Sequence, residues 1–184
     1  MSSVFSPVEE LPAGALLVEA SAGTGKTYSI TSLYLRLVVE EDLQPGDILV
    51  VTFTNDAAAE LRGRIRSRLQ DAWVCGRRVL VQGTQPEDPV CRHMFGQGGP
   101  SWRPLAEAEL RQALRRLRRA LVDFDAAPVS TIHSFCQDAL ASFGFEGGVG
   151  LDLEFIEDVR PLLEELVDDY LGAVFAEGRQ SVPP

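Results

Sequence analysis

Short unbroken apolar runs alternate along this chain with longer stretches in which apolar residues recur every third or fourth position. Residues 15–19 (ALLVE) and 47–53 (DILVVTF) are runs of the first kind, and both predict buried strands. A shorter run at residues 129–132 (VSTI) predicts a third. Between them lie helical rhythms. Ile30, Leu33, Tyr34, Leu37 and Val38 mark a helix over residues 27–40. Ala58, Leu61, Ile65, Leu69 and Trp73 mark one over 56–74, and Leu110, Leu114, Leu117 and Leu121 one over 105–124. A helix over 134–143 follows the third strand and stops before Gly147 and Gly148. Residues 151–156 predict a brief edge strand, and 161–175 an acidic amphipathic helix with Pro161 in its first turn. The Gly- and Pro-rich stretch 79–103 reads as an irregular surface excursion. Strands alternating with helices predict an α/β fold on a parallel sheet.

The first strand and helix are joined by Ala20-Ser21-Ala22-Gly23-Thr24-Gly25-Lys26-Thr27. This is a phosphate-loop pattern with Ala20 in place of the first glycine. Small residues let backbone N–H groups converge on phosphate oxygens, and a helix N-terminus adds partial positive charge. Lys26 can reach the β- and γ-phosphates, and the Thr27 hydroxyl can hold magnesium. Lys26 is the chain's single lysine beside sixteen arginines. The loop predicts nucleotide binding without naming a function, since many activities share it.

A magnesium-holding acid is expected at the end of another buried strand. Asp123 ends an amphipathic helix, where it caps or faces solvent. Glu157 and Asp158 precede Pro161, where helix capping is the ordinary role.

Two further stretches carry polar groups at strand ends. In VVTFTNDAAAELRGRIR (residues 50–66), a strand runs into Thr52, Thr54 and Asn55, and a helix bearing Arg62, Arg64 and Arg66 follows. Hydroxyls, an amide and a helix start can donate to phosphate oxygens, and Phe53 could stack on a base. A capped helix with a solvated arginine face, and Phe53 in the core, is equally consistent. In TIHSFCQ (residues 131–137), Thr131 and His133 repeat the theme, and Cys136 reads as core. Cys91 and His93 lack the second pair a metal site needs.

Composition narrows the class. A content of 45% hydrophobic and 24% charged residues suits a soluble globular chain, and no apolar run is long enough to span a bilayer. Three dispersed cysteines and no signal peptide fit a reducing cytoplasm. The net charge of −10 argues against indiscriminate binding to nucleic acid.

Together, EASAGTGKT, VVTFT followed by AELRGRIR, and TIHSFCQ resemble the N-terminal part of the superfamily 1A DNA helicases. The first two resemble the RecB branch more than the UvrD branch, with the AddA relatives close by. The resemblance covers most of residues 15–170. It implies a RecA-like P-loop NTPase domain with an incomplete parallel sheet flanked by helices. Residues 1–150 would be the N-terminal part of ATP-binding domain 1A, and 151–184 the start of an inserted helical 1B subdomain. Ala20, Ser21, Ala22, Gly23, Thr24, Gly25, Lys26 and Thr27 would bind ATP, with Lys26 and Thr27 catalytic and magnesium on Thr27. Thr52, Phe53, Thr54, Asn55 and Arg64 would line a single-stranded DNA track. Thr131 and His133 would link that track to the nucleotide. The parent would be a 3′-to-5′ helicase acting on DNA ends in double-strand break repair and recombination, with RecC- and RecD-like subunits and a nuclease. Family enzymes are far longer, so the chain reads as a fragment without turnover of its own. Many such helicases read adenine through a glutamine before the loop; here the first glutamine is Gln44, which leaves adenine selectivity open. Two other readings stand beside this one: a small self-contained NTPase or kinase using Glu157 or Asp158, and a non-catalytic nucleotide-binding interaction module.

Overall fold

The computed structural model describes residues 5–11, 14–19, 23, 25–97, 102–143 and 159–178. The chain forms two compact units, Met1–Phe135 and Cys136–Pro184.

In the first unit, α1 (Lys26–Val39) leads through a 3-10 turn (Pro45–Asp47) to β1 (Val50–Thr52) and then to the long helix α2 (Asn55–Gln82). α3 (Pro89–Phe95) and a small hairpin of β2 (Gly96–Gln97) and β3 (Arg103–Pro104) follow. α4 (Glu107–Val122) and a second 3-10 turn (Phe124–Ala126) lead to β4 (Val129–Thr131), which runs into α5 (Ile132–Phe143). β1 and β4 pair in parallel, Val50 opposite Val129 and Thr52 opposite Thr131. A short parallel sheet flanked by helices is thus present, as the alternating rhythms predict.

α2 is the spine, because its apolar strip is buried on several sides. Ile65 and Leu69 are 0% exposed, and Ala72 and Val79 nearly so. They pack in one cluster with Leu110, Leu117 and Ala120 of α4, Tyr34, Leu35 and Val38 of α1, and Phe95 of α3. At Gly76 the helices come so close that an added Cβ would lie 3.0 Å from both Leu114 Cδ2 and Phe95 Cζ.

One buried and one half-buried arginine fix the connections. Arg36 is 3% exposed; it donates to the carbonyls of Pro7 and Glu9 and forks onto both Glu40 oxygens at 2.7 Å, pinning the N-terminal segment to α1. Arg116 of α4 donates to the Val39 carbonyl and pairs with Asp42 at 3.1 Å, holding the turn after α1.

Two expectations need correction. Residues 15–19 form no strand: they are irregular and exposed, with Leu17 83% accessible. An apolar run becomes a strand only where a neighbour takes its N–H and C=O groups, and the described sheet contains β1 and β4 alone. Residues 79–103 are not wholly irregular. They hold the last turn of α2, then α3, started by Asp88 as N-cap and Pro89 in the first turn, and β2 with the start of β3. The strand expected over 47–53 is shortened at its start by the Pro45 turn.

In the second unit, the rest of α5 is followed by α6 (Arg160–Gly178), with Pro161 in its first turn as expected. Its apolar residues Leu163, Leu166, Val167 and Tyr170 are all more than half exposed. The edge strand expected over 151–156, with Glu157 and Asp158, lies outside the described residues. Among the described residues, no helix is long and apolar enough to cross a membrane.

Candidate functional site

Two groups of candidate residues can be placed. The first is the start of α1. Gly23 and Gly25 have φ of 79° and 88°, the left-handed region that L side chains rarely adopt. A Cβ at either would meet nothing within 4 Å, so it is the backbone turn and not crowding that calls for glycine. Gly25 is the N-cap of α1, and no side chain caps the helix. An uncapped helix start behind a glycine turn suits an anion. Lys26 is exposed and Thr27 partly buried on the first turn. Ala20, Ser21, Ala22 and Thr24 lie outside the described residues.

Thr27 opens onto a cleft of about 410 Å³ between α1 and α2, shared with Thr31, Glu60, Arg64 and Arg68. The fold therefore brings Arg64, expected on the DNA track, to the same cleft as Thr27. Arg64 also pairs with Glu60 one turn earlier, with both side chains largely exposed. The Thr27 hydroxyl is an oxygen donor of the kind that a magnesium ion accepts. Among the described residues no cluster of three carboxylate, His or Cys side chains could hold a metal alone.

Sequence reasoning missed the support beneath this cleft. Arg68 lies over the Tyr28 ring, 5.0 Å from its centroid, and donates to Ser32 Oγ at 3.3 Å. It also meets both Asp88 oxygens at 2.9 and 3.0 Å. Tyr28 donates to Asp88 at 3.1 Å, and the Cys91 N–H at 2.9 Å. One carboxylate thus ties the first turn of α1 to the middle of α2 and the start of α3. Burial pushes Asp88 upward, but the Cys91 N–H, Arg68 and Tyr28 outweigh it and hold the carboxyl below its ordinary range. Burial, with Asp88 beside it, raises the Tyr28 phenol. The signal available in sequence was Asp88-Pro89, a helix-start pair inside a stretch read as loop.

The second group lies at the C-terminal ends of β1 and β4. Because Thr52 is opposite Thr131 in a parallel pair, the chain leaves both strands at one sheet edge. There α2 and α5 begin. This is the edge where open α/β sheets bind ligands. Phe53 is 90% exposed, which rules out a place in the core. Asn55 and His133 are also exposed. The threonine hydroxyls are partly committed to the turns. Thr54 Oγ1 caps α2 through the Ala57 N–H at 3.2 Å, and Thr52 Oγ1 donates to the Thr54 carbonyl at 3.0 Å. Thr131 is 7% exposed and its Oγ1 accepts the Ser134 N–H at 3.2 Å.

Arg62 does not belong to a solvated face. Its guanidinium donates to the Ala127 carbonyl at 2.8 Å and reaches that of Val129 at 3.4 Å, tying α2 to the entry of β4. Arg66 meets Asp125 at 3.1 Å and lies 5.7 Å from the centroid of the Phe124 ring. Of Arg62, Arg64 and Arg66, Arg64 is the one that lines the cleft. Cys136 is exposed, not core. Asp123 is an exposed cap of α4, as its position suggested.

Comparison with known proteins adds a separate line. The UvrD/REP helicase N-terminal domain family matches residues 4–174. The RecBCD enzyme subunit RecB of Mycobacterium tuberculosis is 36% identical over 168 residues, covering 91% of this chain and 14% of that protein. The corresponding subunit of Haemophilus influenzae is 36% identical over 84% of this chain, and that of Escherichia coli 34% over 85%; each is covered for 13% of its own length. The chain thus spans about one seventh of the curated relatives it matches.

Proposed function

Since the chain belongs to the UvrD/REP helicase N-terminal domain family, we propose that it is the ATP- and strand-binding N-terminal part of a RecB-like DNA helicase. The parent enzyme would open broken duplex ends, moving 3′ to 5′, in double-strand break repair and recombination. RecC- and RecD-like subunits and a nuclease activity would accompany it. Residues 1–150 would belong to the ATP-binding domain and 151–184 to an inserted helical subdomain.

The observation that carries the reading is Phe53, 90% exposed where two parallel strands deliver two helix starts to one edge. A bare aromatic ring is costly in water unless a flat apolar surface covers it, and every base has one. Phe53 would stack on a base, with Thr52, Thr54, Asn55 and Arg64 following the strand's backbone and His133 beside them. Thr131, buried as a cap, would act by holding the His133 turn. At the other group, the N–H groups from Ala20 to Thr27 would cradle the phosphates of ATP, with Lys26 on the β- and γ-oxygens. Thr27 would hold magnesium, which neutralises the charge that phosphoryl transfer develops.

Two titrations test the two halves separately. Charge-assisted phosphate contacts contribute about 1.5–3 kcal/mol each, so Lys26→Ala should weaken ATP binding about tenfold to a hundredfold. Phe53→Ala should weaken binding of a labelled oligo-dT by about 1–3 kcal/mol and leave ATP affinity unchanged. Equal ATP curves for wild type and Lys26→Ala would refute the phosphate loop. A folded Phe53→Ala chain with unchanged oligo-dT affinity would refute the track.

A further inference from the structure

A second cleft, of about 740 Å³, lies between α2 and the segment leading into α3. Cys75 of α2 and Cys91 of α3 both line it, together with Arg68, Arg78 and Asp88. Cys91 is 3% exposed, whereas Cys75 is half-buried and reachable from the cleft. No role in nucleotide or strand binding uses either thiol.

We propose that Cys75 and Cys91 form an oxidisable dithiol, which a hydroperoxide converts to a disulfide joining α2 to α3. Three features favour it. Both residues line one cleft between packed helices, and Cys75 packs against the buried cluster that contains Cys91. One thiol is accessible and the other shielded, so attack starts at Cys75. Arg68 and Arg78 stand beside the accessible thiol and favour its thiolate. Contact with Cys91 holds the Cys75 thiol below its ordinary range against burial and the Asp88 carboxylate, which both raise it, with Arg78 and Arg68 adding smaller lowering effects. Contact with Cys75, then burial, pushes Cys91 up.

The step balances. The Cys75 thiolate attacks the hydroperoxide; an S–O bond forms, the O–O bond breaks, and the leaving oxygen takes a proton and departs as an alcohol, or as water from hydrogen peroxide. Cys91 sulfur then attacks Cys75 sulfur, the S–S bond forms and the S–O bond breaks. The hydroxide released takes the Cys91 proton and leaves as water. Two electrons pass from the dithiol to the peroxide.

The test uses Cys136→Ser, which removes the third cysteine and leaves the pair and its packing untouched. The folded chain is treated with hydrogen peroxide, alkylated, digested and analysed by mass spectrometry, beside a sample unfolded in urea. The expected product of the folded chain is a species lighter by two hydrogens, with no alkylated thiol and a peptide linking Cys75 to Cys91. It should form at least tenfold faster than in urea. Cys91→Ser in the same background should stop at a Cys75 sulfenic acid that dimedone traps. Two alkylated thiols after treatment, dimers linked between chains, or a bridge formed equally fast in urea would each overturn the proposal.

Discussion

Asp88→Ala removes a carboxylate that Arg68, Tyr28 and the Cys91 N–H share. The N-cap of α3 contributes about 1 kcal/mol. The Arg68–Asp88 pair has side chains 16% and 27% exposed. It stands between surface pairs, at about 0–1 kcal/mol, and fully buried ones, whose breaking costs about 3–5. The expected loss for Asp88→Ala is therefore about 2–4 kcal/mol in urea unfolding. Asp88→Asn keeps an oxygen for the cap and for Tyr28 and should lose about half as much. The sign with pH follows from the lowered carboxyl. Below its ordinary value of 3.8 the unfolded chain binds the proton first. Asp88 therefore stabilises fully above that pH, and the benefit disappears as pH falls through the folded value. The gap between wild type and Asp88→Asn should be constant from pH 5 to 7 and narrow in acid below about 4. Both variants within about 0.5 kcal/mol of wild type at neutral pH, or a gap that widens in acid, would refute the shared-carboxylate account.

Gly76→Ala should lower the urea midpoint, because overpacking against Leu114 and the fully buried Phe95 costs about 1–3 kcal/mol and outweighs a helix-propensity gain of about 1; an unchanged or higher midpoint would mean Phe95 swings aside. Tyr34 is 2% exposed, its hydroxyl is buried with no hydrogen-bond partner among the described residues, and burial, opposed by Arg62, pushes its phenol to about 12. The unfolded phenol ionises first, so stability should fall from its ordinary value of 10 up to about 12. A Tyr34→Phe chain, followed by thermal unfolding across that range, should lose this dependence; identical curves would place the alkaline loss elsewhere. Arg62→Met should destabilise the chain by removing the side-chain donor that ties α2 to the Ala127 and Val129 carbonyls, the first of which keeps only the Val129 N–H, and the lost oligo-dT affinity should follow the lost fold as denaturant is raised. Affinity lost with stability intact would make Arg62 a direct strand contact.

Sequence disclosed most where structure is set locally. The glycine turn before α1 could be read because φ > 0 restricts residue type within a few positions. Helices α1, α2 and α4 follow from apolar spacing, since each buries one face in the shared core. Residues 15–19 misled because their apolar run says nothing about whether a neighbouring strand is present. α3 was hidden because proline and glycine frequency outweighed the single capping pair Asp88-Pro89. Arg62 shows the limit at the site itself: helical spacing places it on one side with Arg66, but says nothing of the carbonyl 65 positions away that it reaches. Phe53 could not be decided from sequence, because a core ring and a bare one are written alike.

The pairing of β1 with β4 also sets an order of events on the ribosome. Val50 meets its partner only once Val129 has emerged, and the described residues between are helices, turns, irregular connections and one hairpin of two-residue strands. Helices α2 and α4 can associate as soon as α4 is made, whereas β1 must wait with its backbone groups open to water or to another chain. During that interval Val51 and Phe53 form an adhesive edge. Slower translation across residues 53–128 would prolong the exposure, and a holdase that shields extended apolar segments would have its main target at β1.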